Sequence, residues 1–124
     1  MEKYFTNKKI SIPIYRGNLH VILTNDIKRL KIEMPFFEGD EIHAHAISYP
    51  DTKWYGYSII LNINNINSDT INGKIAHEAV HVAHFIMNDR GIEADSRNDE
   101  PMAYLVQWIV DVVHKFIKQN SKYK

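Results

Sequence analysis

The chain has 124 residues, enough for one domain with a genuine core and little room for a second. Its hydrophobic fraction of 44% and charged fraction of 24% are those of an ordinary globular protein, and Lys+Arg 15 against Asp+Glu 15 leaves no net charge to draw nucleic acid. With no cysteine, disulfide frameworks and thiolate metal sites are excluded, so any metal must sit on imidazole or carboxylate.

Residues 1–9 contain no continuous apolar stretch, which argues against a signal peptide. Later apolar runs are interrupted by charge, which argues against a membrane span, so the expected compartment is the cytoplasm. Ile10, Ile12 and Ile14 alternate with other residues, and Pro13 among them predicts an edge strand. His20 to Leu23 is a second short β-prone run. Asn25 or Asp26 is positioned to cap a short helix through Ile27, Leu30 and Met34, ended by Pro35. Ile42 to Tyr49 and Trp54 to Ile63 are the strongest strand candidates, and Pro50-Asp51-Thr52-Lys53 between them predicts a β-hairpin. On its first arm Ile42, Ala44 and Ala46 share one face, and His43, His45, Ile47 and Tyr49 the other.

A long helix is expected from about Ile71 to Asn88 or Arg90, with Gly91 at its C-terminal cap. Its apolar residues cover more than one stripe, which predicts burial on most sides. His77, His81 and His84 would then be buried polar groups in need of partners. After the acidic loop Gly91 to Asn98, a last helix runs from Asp99 to about Gln119, with Pro101 tolerated in its first turn. Met102, Leu105, Val106, Ile109, Val110, Val113, Phe116 and Ile117 form its expected core face. Glu100, Tyr104, Gln107 and Asp111 line up as a polar stripe.

The chemistry concentrates in His77-Glu78-Ala79-Val80-His81. Histidines four apart on a helix stand one turn above each other, so both imidazoles reach one ion, and the adjacent glutamate reaches a water bound to it. A catalytic zinc needs a third protein ligand. The metzincin completion fails, because position 84 is His where glycine belongs and position 87 is Met where the third histidine belongs. A carboxylate on a following helix is the other common solution. Glu100, 19 positions after His81, is the preferred ligand because it begins the polar stripe. Asp99 is its main competitor, with Glu93 and Asp95 weaker ones. His84 is about 10 Å from His77 along the helix axis, which suits pocket lining better than ligation of the same ion. His43 and His45 are read as strand surface rather than a separate metal pair. Asp111 and His114 are candidates to support the ligands from behind.

The pair His77-Glu78-Ala79-Val80-His81 and Asp99-Glu100-Pro101-Met102-Ala103-Tyr104 resembles the gluzincin-type zinc metallopeptidases, nearest to small single-domain ones of bacteriophages and related mobile elements. The resemblance covers roughly the second half of the chain and the hairpin before it. It implies Zn2+ held by His77, His81 and Glu100, with Glu78 as general base and Tyr104 as oxyanion stabiliser. It also implies a protein or peptide substrate laid along one arm of the hairpin, and work in the cytoplasm of a bacterial host. Neither nucleic acid nor membrane is an expected partner. The expected fold is α+β and zincin-like, one domain over residues 1–124: mainly β with one short helix over 1–66, then two metal-binding helices over 67–124. Two rivals are a catalytically silent zincin-like module, for binding or as a phage accessory, and a non-proteolytic zinc hydrolase.

Overall fold

The computed structural model describes residues 2–50 and 53–120. Four strands, β1 (Phe5–Ser11), β2 (Asn18–Thr24), β3 (His45–Tyr49) and β4 (Gly56–Asn62), form one sheet in the order β1-β2-β4-β3. β1 pairs antiparallel with β2, β2 parallel with β4, and β3 antiparallel with β4, so the sheet is mixed. Helix α1 (Ile27–Glu33) lies between β2 and β3 in sequence, and α2 (Ile71–Asp89) and α3 (Glu100–Gln119) follow the sheet. Among the described residues the fold is therefore α+β, a four-stranded mixed sheet with three α-helices.

Strand order follows burial. Residues 19–24 and 57–61 are all buried, because β2 and β4 lie at the centre of the sheet with both faces covered. On one face Leu19, Val21, Leu23, Ile59 and Leu61 meet Ile75, Ala79, Val82 and Ile86 of α2 and Leu105, Ile109 and Val113 of α3. On the other, Ile22 and Ile60 meet Leu30 and Met34 of the α1 segment, together with Phe37, Ile42 and Trp54. Helix α1 starts as its sequence predicts: the Asp26 carboxylate accepts from the Arg29 N–H at 3.1 Å. Its far end is held by Trp54, whose indole N–H donates to the Glu33 carbonyl at 3.0 Å.

Two sequence expectations need correction. The alternation of Ile10, Ile12 and Ile14 does not continue as a strand. β1 begins earlier, at Phe5, and ends at Ser11 before Pro13, which has no N–H to give a ladder. Ile12 is buried, whereas Ile14 stands 91% exposed in the turn with φ +65. The second correction concerns α2. Its buried residues are Ile75, Glu78, Ala79, Val82, Ala83, Ile86 and Met87, while Ala76, His77, Val80, His81 and His84 face solvent. The sheet and α3 cover only one side of the helix, so its breadth of apolar residues does not translate into burial all round. The histidines are solvated and need no buried partner.

Pairing leaves β3 with a free edge, since β4 is its sole ladder partner among the described residues. β3 also packs beside α2. The residues just before it, His43 and Ala44, border the His77 end of α2, and Ser48 and Tyr49 border Asp89 and Arg90 at the other end. The free strand and the motif helix thus run side by side in the same direction. No helix among the described residues is long and apolar enough to cross a membrane.

Candidate metal centre

His77 and His81 stand on successive turns of α2, on its open side, and their rings meet edge to face with centroids 4.7 Å apart. Glu78, between them in sequence, turns the other way and is 8% exposed. Its Oε2 lies 2.6 Å from His77 Nδ1. In the tautomer where Nδ1–H donates to this carboxylate, the His77 Nε2 lone pair is left facing outward. Carboxylate-oriented imidazole is the usual arrangement of a metal-binding histidine. Among the described residues no buried side-chain nitrogen or oxygen lacks a hydrogen-bond partner, so burial of Glu78 is compensated.

A cleft of about 660 Å³ opens beside His77, between His43 and Ala44 on one side and Asp69, Thr70, Gly73, Lys74, His77 and Glu78 on the other. A Cβ added at Gly73 would meet nothing within 4 Å, so the glycine leaves this cleft open. The strand side is well anchored. Ile42 is 5% exposed and its carbonyl accepts from Asn62 Nδ2 at 3.1 Å, while the His43 N–H donates to His45 Nε2 at 3.2 Å. The His45 ring packs edge-on against Phe37 at 4.9 Å. Burial lowers the His45 pKa, with the negative charge of Glu78 pulling the other way. A neutral ring suits its acceptor role. His43 is exposed, and its Nε2 lies 3.2 Å from Glu41 Oε2.

The other sequence-predicted residues lie elsewhere. Glu100 is exposed at the first position of α3. Its neighbours Asp99, Pro101 and Met102 border His84 and Met87, so α3 begins level with the second half of α2, beyond His81. Glu93 and Asp95 are exposed in the loop before it, and Asp95 pairs with Arg97 at 3.4 Å. Among the described residues no group of three or more His, Cys, Asp or Glu is gathered closely enough to hold a metal ion. The imidazole pair fits zinc, and the carboxylate that would complete the set is not beside it. Tyr104 is 66% exposed and lines a different, apolar cleft with Pro13, Ile14, Tyr15 and Trp108. Asp111 is exposed and His114 half-buried along α3.

Two polar constellations had no sequence signal. Arg90, just past α2, donates from Nε to the Tyr15 carbonyl at 2.8 Å and from Nη2 to the Arg16 carbonyl at 2.6 Å. Its Nη1 donates to the Tyr57 hydroxyl at 2.7 Å, and that hydroxyl donates to Asp89 Oδ2 at 2.5 Å. Burial, then the Asp89 hydrogen bond, pushes the Tyr57 pKa up to about 12. These groups line a cleft of about 730 Å³ at the far end of β3. The second is His20, 3% exposed in central strand β2, with Nε2 3.2 Å from the Tyr55 carbonyl and its ring 5.2 Å from Trp54. Only β4 and α2 packing brings Tyr57 to Asp89 and Arg90, and only pairing order buries His20. Compared with known proteins, the chain matches no family model, no curated protein and no solved structure.

Proposed function

We propose that this chain is a zinc-dependent metallopeptidase of the gluzincin type with a zincin-like fold. The observation that carries this is the His77–His81 pair on the open side of α2, beside the free edge of β3. A free edge offers a row of backbone groups to an extended peptide, which would add as a further strand along β3. Because β4 is interior, the arm left open to substrate is the first arm of the hairpin.

His77 and His81 would hold the ion, with Glu100, at the first position of α3, the third ligand that the resemblance implies. Zinc, when bound, supplies an acidified water and a positive charge for the substrate carbonyl. Glu78 is the proton carrier. It accepts the proton that water loses as its oxygen bonds to the carbonyl carbon, and delivers it to the amide nitrogen as the carbon–nitrogen bond breaks. To do so Glu78 exchanges its bond to His77 Nδ1 for one to water.

Elemental analysis of purified protein tests the metal, with about one zinc per chain expected and loss of zinc in His77→Ala. Glu100→Gln should weaken zinc binding, whereas Glu78→Gln should keep zinc and abolish peptide hydrolysis. Hydrolysis that survives in Glu78→Gln, or a wild-type chain that takes up no zinc, defeats the proposal.

A further inference from the structure

The cleft of about 730 Å³ at the far end of β3 takes no part in the chemistry proposed above, and its walls are firmly held. Tyr57 is locked between Asp89 and Arg90, and burial with the Asp89 bond keeps its hydroxyl protonated. Tyr49 stacks on Phe36 with ring centroids 3.8 Å apart. The Tyr55 carbonyl is bonded to His20 Nε2, yet Tyr55 is 58% exposed. Gly17 and Gly56 add backbone without side chains. Walls fixed in advance spare a ligand the cost of ordering them. We infer that this cleft is a carbohydrate-binding site, which takes a neutral pyranose against the Tyr55 ring with its hydroxyls bonded to Asp89 and Ser48. The site needs no metal and does not rest on the peptidase reading.

Polarity selects the ligand class. Among the described residues that line the cleft, Asp89 and Arg90 are the charged ones, one of each sign. An anion needs an open guanidinium fork. Arg90 instead makes four bonds, to the carbonyls of Tyr15, Arg16 and Ile86 and to the Tyr57 hydroxyl, from a group with five N–H. A cation would meet the same guanidinium, which sits 5.8 Å from the Tyr57 ring centroid, where a cation would stack. A proline-rich segment suits tyrosine-lined grooves, but it has few N–H groups to offer the exposed Asp89 carboxylate. A pyranose satisfies each wall. Its C–H face packs on the exposed ring, and one hydroxyl donates to Asp89. Others bond to the exposed Ser48 hydroxyl and to the remaining Arg90 N–H.

The test follows the backbone amides of the isotope-labelled full chain by NMR during titration with maltose, cellobiose or N,N′-diacetylchitobiose. At least one of these, at millimolar concentration, should saturably shift the amides of Gly17, Ser48, Tyr55 and Gly56 and leave those of His77 and His81 in place. Tyr55→Ala and Asp89→Asn should each weaken that sugar on the order of 10-fold. Tyr55→Ala removes only an exposed ring, so its thermal midpoint should stay at the wild-type value. If none of the three sugars shifts these amides, the site is overturned, and binding that survives both variants overturns it as well. Glucuronic acid or an oligoproline peptide that binds at the same residues more tightly than every neutral sugar overturns the ligand class.

Discussion

His81 stands one helical turn beyond His77, and the two rings touch edge to face on the solvent side of α2. An ion bridging them cross-links successive turns of the helix that supports the main core. Zinc at 100 times its dissociation constant should therefore stabilise the fold by about 2.7 kcal/mol. Differential scanning calorimetry with and without zinc checks this. The shift should vanish in both His77→Ala and His81→Ala.

Arg90 ties the turn between β1 and β2 to the end of α2 with bonds to the carbonyls of Tyr15 and Arg16 and to Tyr57. Removing it strands acceptors that a charged donor had satisfied, so Arg90→Ala should cost about 2–4 kcal/mol in urea unfolding. Lysine should recover little, because its single ammonium cannot reproduce the fork. Hydrogen exchange should quicken at residues 12–17 in the variant. A variant as stable as wild type would show that these contacts carry no net energy.

The opposite sign is expected one turn away. Ile14 is 91% exposed with φ +65, a conformation unfavourable for a β-branched side chain. Ile14→Gly relieves that strain without removing core packing, although glycine also loosens the unfolded chain. A net gain on the order of 0.5 kcal/mol is expected from the same urea titrations.

Gly56 starts β4 with φ +113, and a Cβ built there would lie 2.5 Å from the Asn18 carbonyl oxygen at the start of β2. Backbone cannot yield as a flexible side chain does. Gly56→Ala should therefore destabilise by about 3 kcal/mol or more, whereas Gly73→Ala, which meets open space, should be neutral or stabilising. Paired denaturation curves decide between them.

Burial lowers the His20 pKa below its ordinary value of 6.5, with the Tyr55 carbonyl bond opposing and Lys9 reinforcing the shift. The unfolded chain thus takes up this proton before the folded chain does. The stabilising contribution is complete above pH 6.5 and is lost as pH falls through the folded pKa. His45, lowered mainly by burial, acts with the same sign. Unfolding free energy measured from pH 8 down to pH 5 should decline, and His20→Gln should flatten part of that decline.

Local chemistry made much of this architecture legible. Asp26 caps α1, Gly91 follows α2 with φ +71, and the core side chains of α3 recur at the predicted spacing. Each depends on neighbours within about one helical turn. The predicted stripe Glu100, Tyr104, Gln107 and Asp111 is exposed as a stripe, but Tyr104 borders the β1–β2 turn rather than the histidine pair. Helical spacing specifies which residues share a face, and not what that face meets. The turn residues Asp51 and Thr52 lie outside the described residues.

The sequence by itself determined the helix that carries His77 and His81, the hairpin before it and the α+β class, because periodicity and capping act over a few residues. Tertiary structure alone decided that β4 lies inside the sheet and β3 at its edge, since strand order depends on which faces the helices cover. It also decided that the histidines of α2 face solvent while Glu78 is buried, because apolar breadth does not say which side the sheet will take. His43 entered the cleft beside the motif for the same reason. It is more than 30 residues from His77 in sequence, and only the packing of β3 against α2 brings it there.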